Sequence, residues 1–183
     1  MRQRSLFSVA ALAAAVLVPG LVPGGVALAA DASVVMLKSV EGGDVGTVTL
    51  QPAAFPGLIV TLEATALPPG VHAFHLHETG ACDPATGFKS AGGHFNPTRK
   101  AHGWLNEKGA HLGDLPNIHV PETGALTQEF FVPGVSLGDM DGAEALLDDD
   151  GAALVIHAGV DDYKSDPAGD AGERIACGVI EAN

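Results

Sequence analysis

The sequence predicts an all-β domain, an antiparallel sandwich or barrel with two long functional loops, and three features predict it. Short β-branched and apolar runs alternate with clusters of Gly, Pro, Asp and Asn, the pattern of strands separated by turns. No capped run of helical period competes, apart from room for a short turn of helix around residues 136–147. Two segments, 78–117 and 158–173, lack such runs and are rich in Gly together with Pro, Asn, Lys and His in the first and Asp in the second. Loops of that length in a compact domain are usually functional or disordered, and a bound metal is one way to order them.

In chain order, residues 1–29 have the pattern of a secretory leader. Arg2 and Arg4 precede a charge-free apolar stretch, and Ala27-Leu28-Ala29 supplies the small-x-small pattern of a cleavage site. Pro19, Gly20, Pro23, Gly24 and Gly25 interrupt the apolar run before it reaches a comfortable spanning length, which argues against a membrane anchor. Residues 30–183 then form one domain. Strands are expected over 32–37, 46–50, 58–62, 71–77, 128–132 and 153–157. Removing the leader's two arginines takes the net charge from −13 to −15. That balance excludes nucleic acid and anionic membrane surfaces as natural partners. The two cysteines, Cys82 and Cys177, suit a single disulfide in an exported protein, with two buried thiols as the alternative.

The histidines carry the chemistry. His75 and His77 lie two apart in a strand, so they project to one face ~7 Å apart and can share a metal. His72 has the opposite parity and is read as a framework residue. His94, His102, His111 and Asp114, spread over the first loop, make a complete tetrahedral set for a structural zinc. His157 ends another apolar strand just before the second loop. With His75, His77 and one loop histidine it would give the all-nitrogen donor set that copper(II) accepts.

The segment Gly70-Val71-His72-Ala73-Phe74-His75-Leu76-His77-Glu78 resembles the G-x-H-x-F-H-x-H-E signature of copper/zinc superoxide dismutases. So do Gly93-His94-Phe95-Asn96-Pro97, His111-Leu112-Gly113-Asp114-Leu115 and the run from Gly172 through Glu173-Arg174-Ile175-Ala176-Cys177-Gly178 to Ile180. The resemblance covers essentially the whole mature chain, and Tyr163 is similar to exported bacterial members. It implies an immunoglobulin-like Greek-key β-sandwich. One copper per subunit would be held by His75, His77, His94 and His157, and one zinc by His94, His102, His111 and Asp114, with His94 shared. It further implies that Asp161 links His75 to His102, that a Cys82–Cys177 disulfide pins the first loop to the last strand, and that Arg174 guides the anionic substrate.

The activity so implied is conversion of two superoxide anions and two protons to dioxygen and hydrogen peroxide by Cu(II)/Cu(I) cycling, with His94 handling a proton. It would serve antioxidant defence in the periplasm or extracellular space. A homodimer is compatible with the resemblance. The exposed-type Lys164 reads as an ordinary solvated side chain, His119 as a non-ligand, and the crowd of Asp161, Asp162, Asp166, Asp170 and Glu173 as a force opposing attraction of an anion. The alternatives are a non-catalytic copper-binding or copper-delivery domain, which would typically lack a copper ligand or the arginine, and a structural zinc protein, which leaves His75, His77 and His157 without a reason.

Overall fold

Period-two alternation builds the first three strands. In β1 (Ser33–Ser39) Ser33, Val35 and Leu37 turn inward while Val34, Met36 and Lys38 face out. This strand pairs antiparallel with β2 (Asp44–Pro52), and β2 with β3 (Gly57–Ala64). The computed structural model describes residues 32–181, so the expected leader lies outside the described residues. After β3 the chain forms β4 (Gly70–His72), β5 (Phe74–His77), β6 (Ile118–Val120), β7 (Leu126–Pro133), β8 (Val135–Ser136), β9 (Glu144–Ala145), β10 (Ala152–His157) and β11 (Arg174–Ile180).

One seven-stranded antiparallel sheet has the order β5-β10-β11-β1-β2-β3-β7. The chain passes from β3 to β5 at the far end of this order and from β7 to β10 beside β5, so two long connections cross between its ends as in a Greek key rather than a meander. The sheet curls, because Phe74 on one terminal strand and Phe130 on the other pack with ring centroids 5.8 Å apart. Leu37, Val48, Leu62, Leu76, Leu154 and Ile156 fill the barrel between them. Each such fully buried side chain contributes roughly 1.5–3 kcal/mol.

Strands β5 and β10 are buried on both faces. Phe74, Leu76, Leu154 and Ile156 point into the barrel. His75, His77, Val155 and His157 therefore project from the opposite face by the pleat. The first loop covers that outer face, where Phe88 and Ala91 pack on Ala153, Val155 and Cys177. The Cys82–Cys177 disulfide, spanning 95 positions, ties the loop to β11.

Three local expectations change. The strand expected over 71–77 is broken at Ala73: its N–H turns to Gly159 O in the second loop while its carbonyl accepts from His157 N at the end of β10, so that β4 pairs with β6 and β5 with β10. Residues 136–147 contain no helix; β8 and β9 instead pair in parallel. The intervening Gly138-Asp139-Met140-Asp141-Gly142, with Gly142 at φ 81°, favours turns over a helix. Regular structure appears instead inside the first loop as 3₁₀ turns at Pro84–Thr86 and Lys89–Ala91, the former capped by the Asp83 carboxylate accepting from Ala85 N. Among the described residues no helix is long and apolar enough to cross a membrane.

Candidate metal centre

The first loop reaches the histidines of β5 because its backbone is sewn to that strand. Leu76 N donates to Gly113 O and Phe95 N to Leu76 O, each at 2.9 Å, and Gly113 N donates to Phe95 O. Residue 113 must be glycine, since a Cβ there would collide with the Leu76 carbonyl. Isolated bridges follow at His75–Asp114 and His77–His94. From the other side, a bulge between Ile156 and His157 sets His157 opposite Arg174. Such a bulge re-aims the side chains beside it.

The outcome is two adjoining buried clusters, His75, His77, His94 and His157 in one and His94, His102, His111 and Asp114 in the other, each with its ligand atoms within 4.8 Å of one another. Only His94 belongs to both. In the first cluster His75 Nδ1 and the Nε2 atoms of His77, His94 and His157 are buried with no hydrogen-bond partner. Orphaned buried polar atoms are rare and need an explanation. Four imidazole nitrogens converging on one point find it in a cation, and an all-nitrogen set suits copper(II).

In the second cluster the Nδ1 atoms of His94, His102 and His111 converge on Asp114 Oδ1 at 2.8, 3.0 and 3.1 Å. His111 Nδ1 and His94 Nδ1 are 3.3 Å apart. Three donors crowding one oxygen are better served by a divalent ion among them, and three nitrogens with one carboxylate oxygen suit zinc. The other oxygen, Oδ2, is taken by the backbone N–H groups of Gly103 and His111.

Outer partners fix the rings. His77 Nδ1 donates to Gly92 O at 3.1 Å and His157 Nδ1 to Gly172 O at 3.3 Å. Asp161, fully buried, accepts from His75 Nε2 on Oδ2 at 2.8 Å and from His102 Nε2 on Oδ1 at 2.9 Å. One carboxylate thus spans both clusters and sets which nitrogen of each ring faces inward. Gly169 lets the second loop pass over it, since a Cβ there would collide with Asp161 Oδ1.

Burial, chiefly, holds His94 down to about 4 and His157 to about 3, and it also lowers His75 and His77. For His102 burial is outweighed by its hydrogen bonds to Asp114 and Asp161, which raise it to about 9. Burial is likewise outweighed at Asp114 and Asp161, whose imidazole partners hold both well below the usual carboxylate range. For the metal-free protein, the unfolded chain binds more protons than the folded one as pH falls from 6.5 toward 4 at His94 and His157. Stability therefore drops on that side. The stabilisation from His102 is complete below pH 6.5 and lost as pH rises through about 9. Thermal melts of the metal-free protein are expected to peak near pH 6.5 and decline on both sides; a melting temperature flat from pH 4 to 9 contradicts these protonation states.

Arg174 lies half-buried at the start of β11, and its Nη1 and Nη2 donate to Phe88 O and Gly92 O, both at 2.7 Å. Gly92 O also holds His77, so one carbonyl joins the guanidinium to the all-nitrogen cluster. The positive charge depresses His77 and His157, after burial and neighbouring imidazoles. A pocket of about 410 Å³ opens beside it, lined also by Lys89, Thr86 and Glu173.

The remaining residues fall into supporting places. His72 contacts the carbonyls of His157 and Pro68 at 2.9 Å through its two ring nitrogens, a framework role. His119, exposed on β6, is outside both clusters. Lys164 is exposed and Lys89, not Lys164, lines the pocket with Arg174. In the acidic loop Asp162 accepts from Ser165 and Lys164 and Asp166 from His102 N at 2.7 Å, while Asp170 and Glu173 are exposed. Counting ligand-type residues misses Gly92, Gly172 and Asn117, which act through main-chain carbonyls or a neutral amide, and no compositional signal marks them.

Residues 45–180 match the family model described as copper/zinc superoxide dismutase. The chain is 53% identical over 126 residues to superoxide dismutase [Cu-Zn] 1 of Aquifex aeolicus, covering 68% of this chain and 73% of that one. To the superoxide dismutase [Cu-Zn] of Caulobacter vibrioides it is 46% identical over 147 residues, covering 80% and 83%. The solved structure of a superoxide dismutase-like protein from Bacillus subtilis superposes with a TM-score of 0.76 at 39% identity, covering 81% of this chain and 97% of that one.

Proposed function

Because the chain belongs to the copper/zinc superoxide dismutase family and uses copper and zinc to dismutate superoxide, we propose that His75, His77, His94 and His157 hold the copper and that His94, His102, His111 and Asp114 hold the zinc. The observation that carries the assignment is the set of four buried ring nitrogens without partners, aimed at one point beside Arg174. Bound copper supplies the one-electron cycle by which one superoxide loses an electron and a second gains one; zinc has no redox chemistry of its own.

The chain's own residues do the rest. Arg174, held rigid by its two carbonyls, presents a fixed cation that draws the anion in and docks it next to the copper ligands. His94 Nε2 would take up one proton and yield it to the second superoxide, and water would supply the other proton that reduction to hydrogen peroxide consumes. Asp161 keeps the His75 ring oriented through the exchange.

Arg174→Ala is expected to lower kcat/KM about tenfold and to flatten its dependence on ionic strength, while Arg174→Lys keeps most of the salt dependence. Stopped-flow decay of superoxide at several salt concentrations measures both; an unchanged salt slope in Arg174→Ala removes it as the guide. The wider assignment is tested by metal analysis and superoxide assay of the reconstituted protein. Zinc uptake without copper under any loading condition overturns the copper site. A copper-delivery role is disfavoured by the complete ligand set with its arginine.

Export belongs to the same reading, with residues 1–29 as the removed leader and 30–183 as the enzyme in the periplasm or extracellular space. It is supported by the leader pattern and by the disulfide. Sequencing the N-terminus of the exported protein checks it. A homodimer is carried as the assembly to be tested by sedimentation of the metallated chain.

A further inference from the structure

Asp161 can bridge the two clusters only if its carboxylate is aimed between His75 and His102, yet it sits in a loop with no strand to fix it. What fixes it is Asn117, a buried residue from the far end of the other loop, 44 positions away. Asn117 Nδ2 donates to Asp161 O and Asn117 Oδ1 accepts from Asp161 N, each at 2.9 Å. This closed pair of bonds, side-chain amide to main-chain amide, clamps the peptide unit from which the carboxylate hangs. A buried amide held on both its donor and acceptor sides fixes orientation as well as distance.

Asn117 is in turn gripped from outside. Its backbone N–H donates to Tyr163 Oη at 2.8 Å. The Tyr163 ring stacks on Trp104 with centroids 5.3 Å apart and planes 11° apart. Leu105 N donates to Tyr163 O at 2.8 Å, so the segment just after His102 is bound to the same turn. Tyr163 N donates to Asp161 Oδ1, the oxygen that also faces His102.

We propose that Asn117 is a positioning residue that sets the metal affinity and the copper-ligand geometry by aiming Asp161, and that the Tyr163 phenol clips Asn117 in place. The inference rests on the metal assignments above but concerns a residue that touches neither cluster directly. Asn117→Ala removes both bonds to the Asp161 peptide and keeps Asp161 itself. Zinc affinity of the purified full chain, read by competition with a chelator, is expected to fall about tenfold, at the low end for loss of an outer partner. The electron paramagnetic resonance spectrum of bound Cu(II) is expected to shift as well, because the His75 ring loses its fixed acceptor. Tyr163→Phe keeps the stack on Trp104 and deletes only the hydroxyl, so a smaller loss in the same direction is expected, and this variant serves should Asn117→Ala misfold.

A double-mutant cycle separates aiming from general support. In an Asp161→Ala background, Asn117→Ala is expected to cause no further loss of zinc affinity, since the group it aims is gone. Losses that add in the double variant overturn the proposal, as does wild-type zinc affinity with an unchanged Cu(II) spectrum in Asn117→Ala. Neither readout is turnover, so a wild-type chain that binds both metals but fails to dismutate superoxide would overturn the catalytic reading alone.

Discussion

Replacing His157 with alanine is expected to bring superoxide dismutation down by more than about 100-fold while zinc stays bound. Even loss of an outer partner of a metal ligand costs 10–100-fold, and here a proposed ligand itself is removed. The separation of the two metals follows from membership: His157 lies in the all-nitrogen cluster and not in the cluster of three imidazoles with Asp114. Its side chain supports little else, since the backbone N–H that donates to Ala73 O survives the substitution, as does the strand pairing of β10 with β5 and β11. His94→Ala is the contrasting case. Because His94 alone belongs to both clusters, its loss is expected to weaken copper and zinc together. The measurements are copper and zinc stoichiometry and the rate of superoxide decay on the same samples. A His157→Ala protein that retains copper and turns over at the wild-type rate would remove His157 from the copper site.

How much of this was visible beforehand depends on what each residue uses to act. His75 and His77 were legible because a strand's period of two fixes their common face, and β5 obeys it. His94, His102, His111 and Asp114 were legible as a donor set, though only the family resemblance said that His94 serves twice. In the structure its two ring nitrogens face opposite clusters, Nδ1 toward Asp114 and Nε2 toward the other three histidines, which is the geometry the proposed sharing needs. Asn117 was invisible, since its work is done by a neutral amide against a backbone 44 positions away, and nothing in composition or spacing marks such a pair. The break at Ala73 was equally hidden. The run 71–77 reads as one strand, and what divides it is the bond from Ala73 N to Gly159 O of the second loop, with β4 pairing to β6 and β5 to β10. In the acidic second loop, three carboxylates are held in place by Ser165, by His102 N and by the bridge between the clusters, while Glu173 lines the pocket beside Arg174.

Removing the disulfide, by Cys82→Ala with Cys177→Ala, is expected to cost about 4–5 kcal/mol on the chain-entropy account, for the 95 positions the bond spans. For a domain of this size that corresponds to a fall in melting temperature of about 10–20 °C. A second effect is expected on activity, through a different route. The loop that the disulfide anchors carries Phe88 O and Gly92 O, the two carbonyls that grip Arg174, and Gly92 O also orients His77. Freed from β11, that loop is still tied to the end of β5 through Glu78 N to Gly93 O and Thr79 N to Ala91 O, but the stretch around Phe88 keeps only its packing with Ala91 on Ala153 and Val155. The guanidinium then loses its fixed position, and the salt dependence of the rate is expected to flatten as it does in Arg174→Ala. The two effects part company when the metals are bound. Metal binding to the folded state offsets part of the lost stability by mass action, but it makes no bond to Phe88 O or Gly92 O, so the melting temperature should recover further than the steering does. Calorimetry with and without metals, beside stopped-flow rates across ionic strength, tests both. A melting temperature within about 3 °C of wild type, far less than the entropy account requires, would show that the disulfide does not restrain the unfolded chain as argued. An unchanged salt slope would show that Arg174 is held by the barrel itself rather than by the loop.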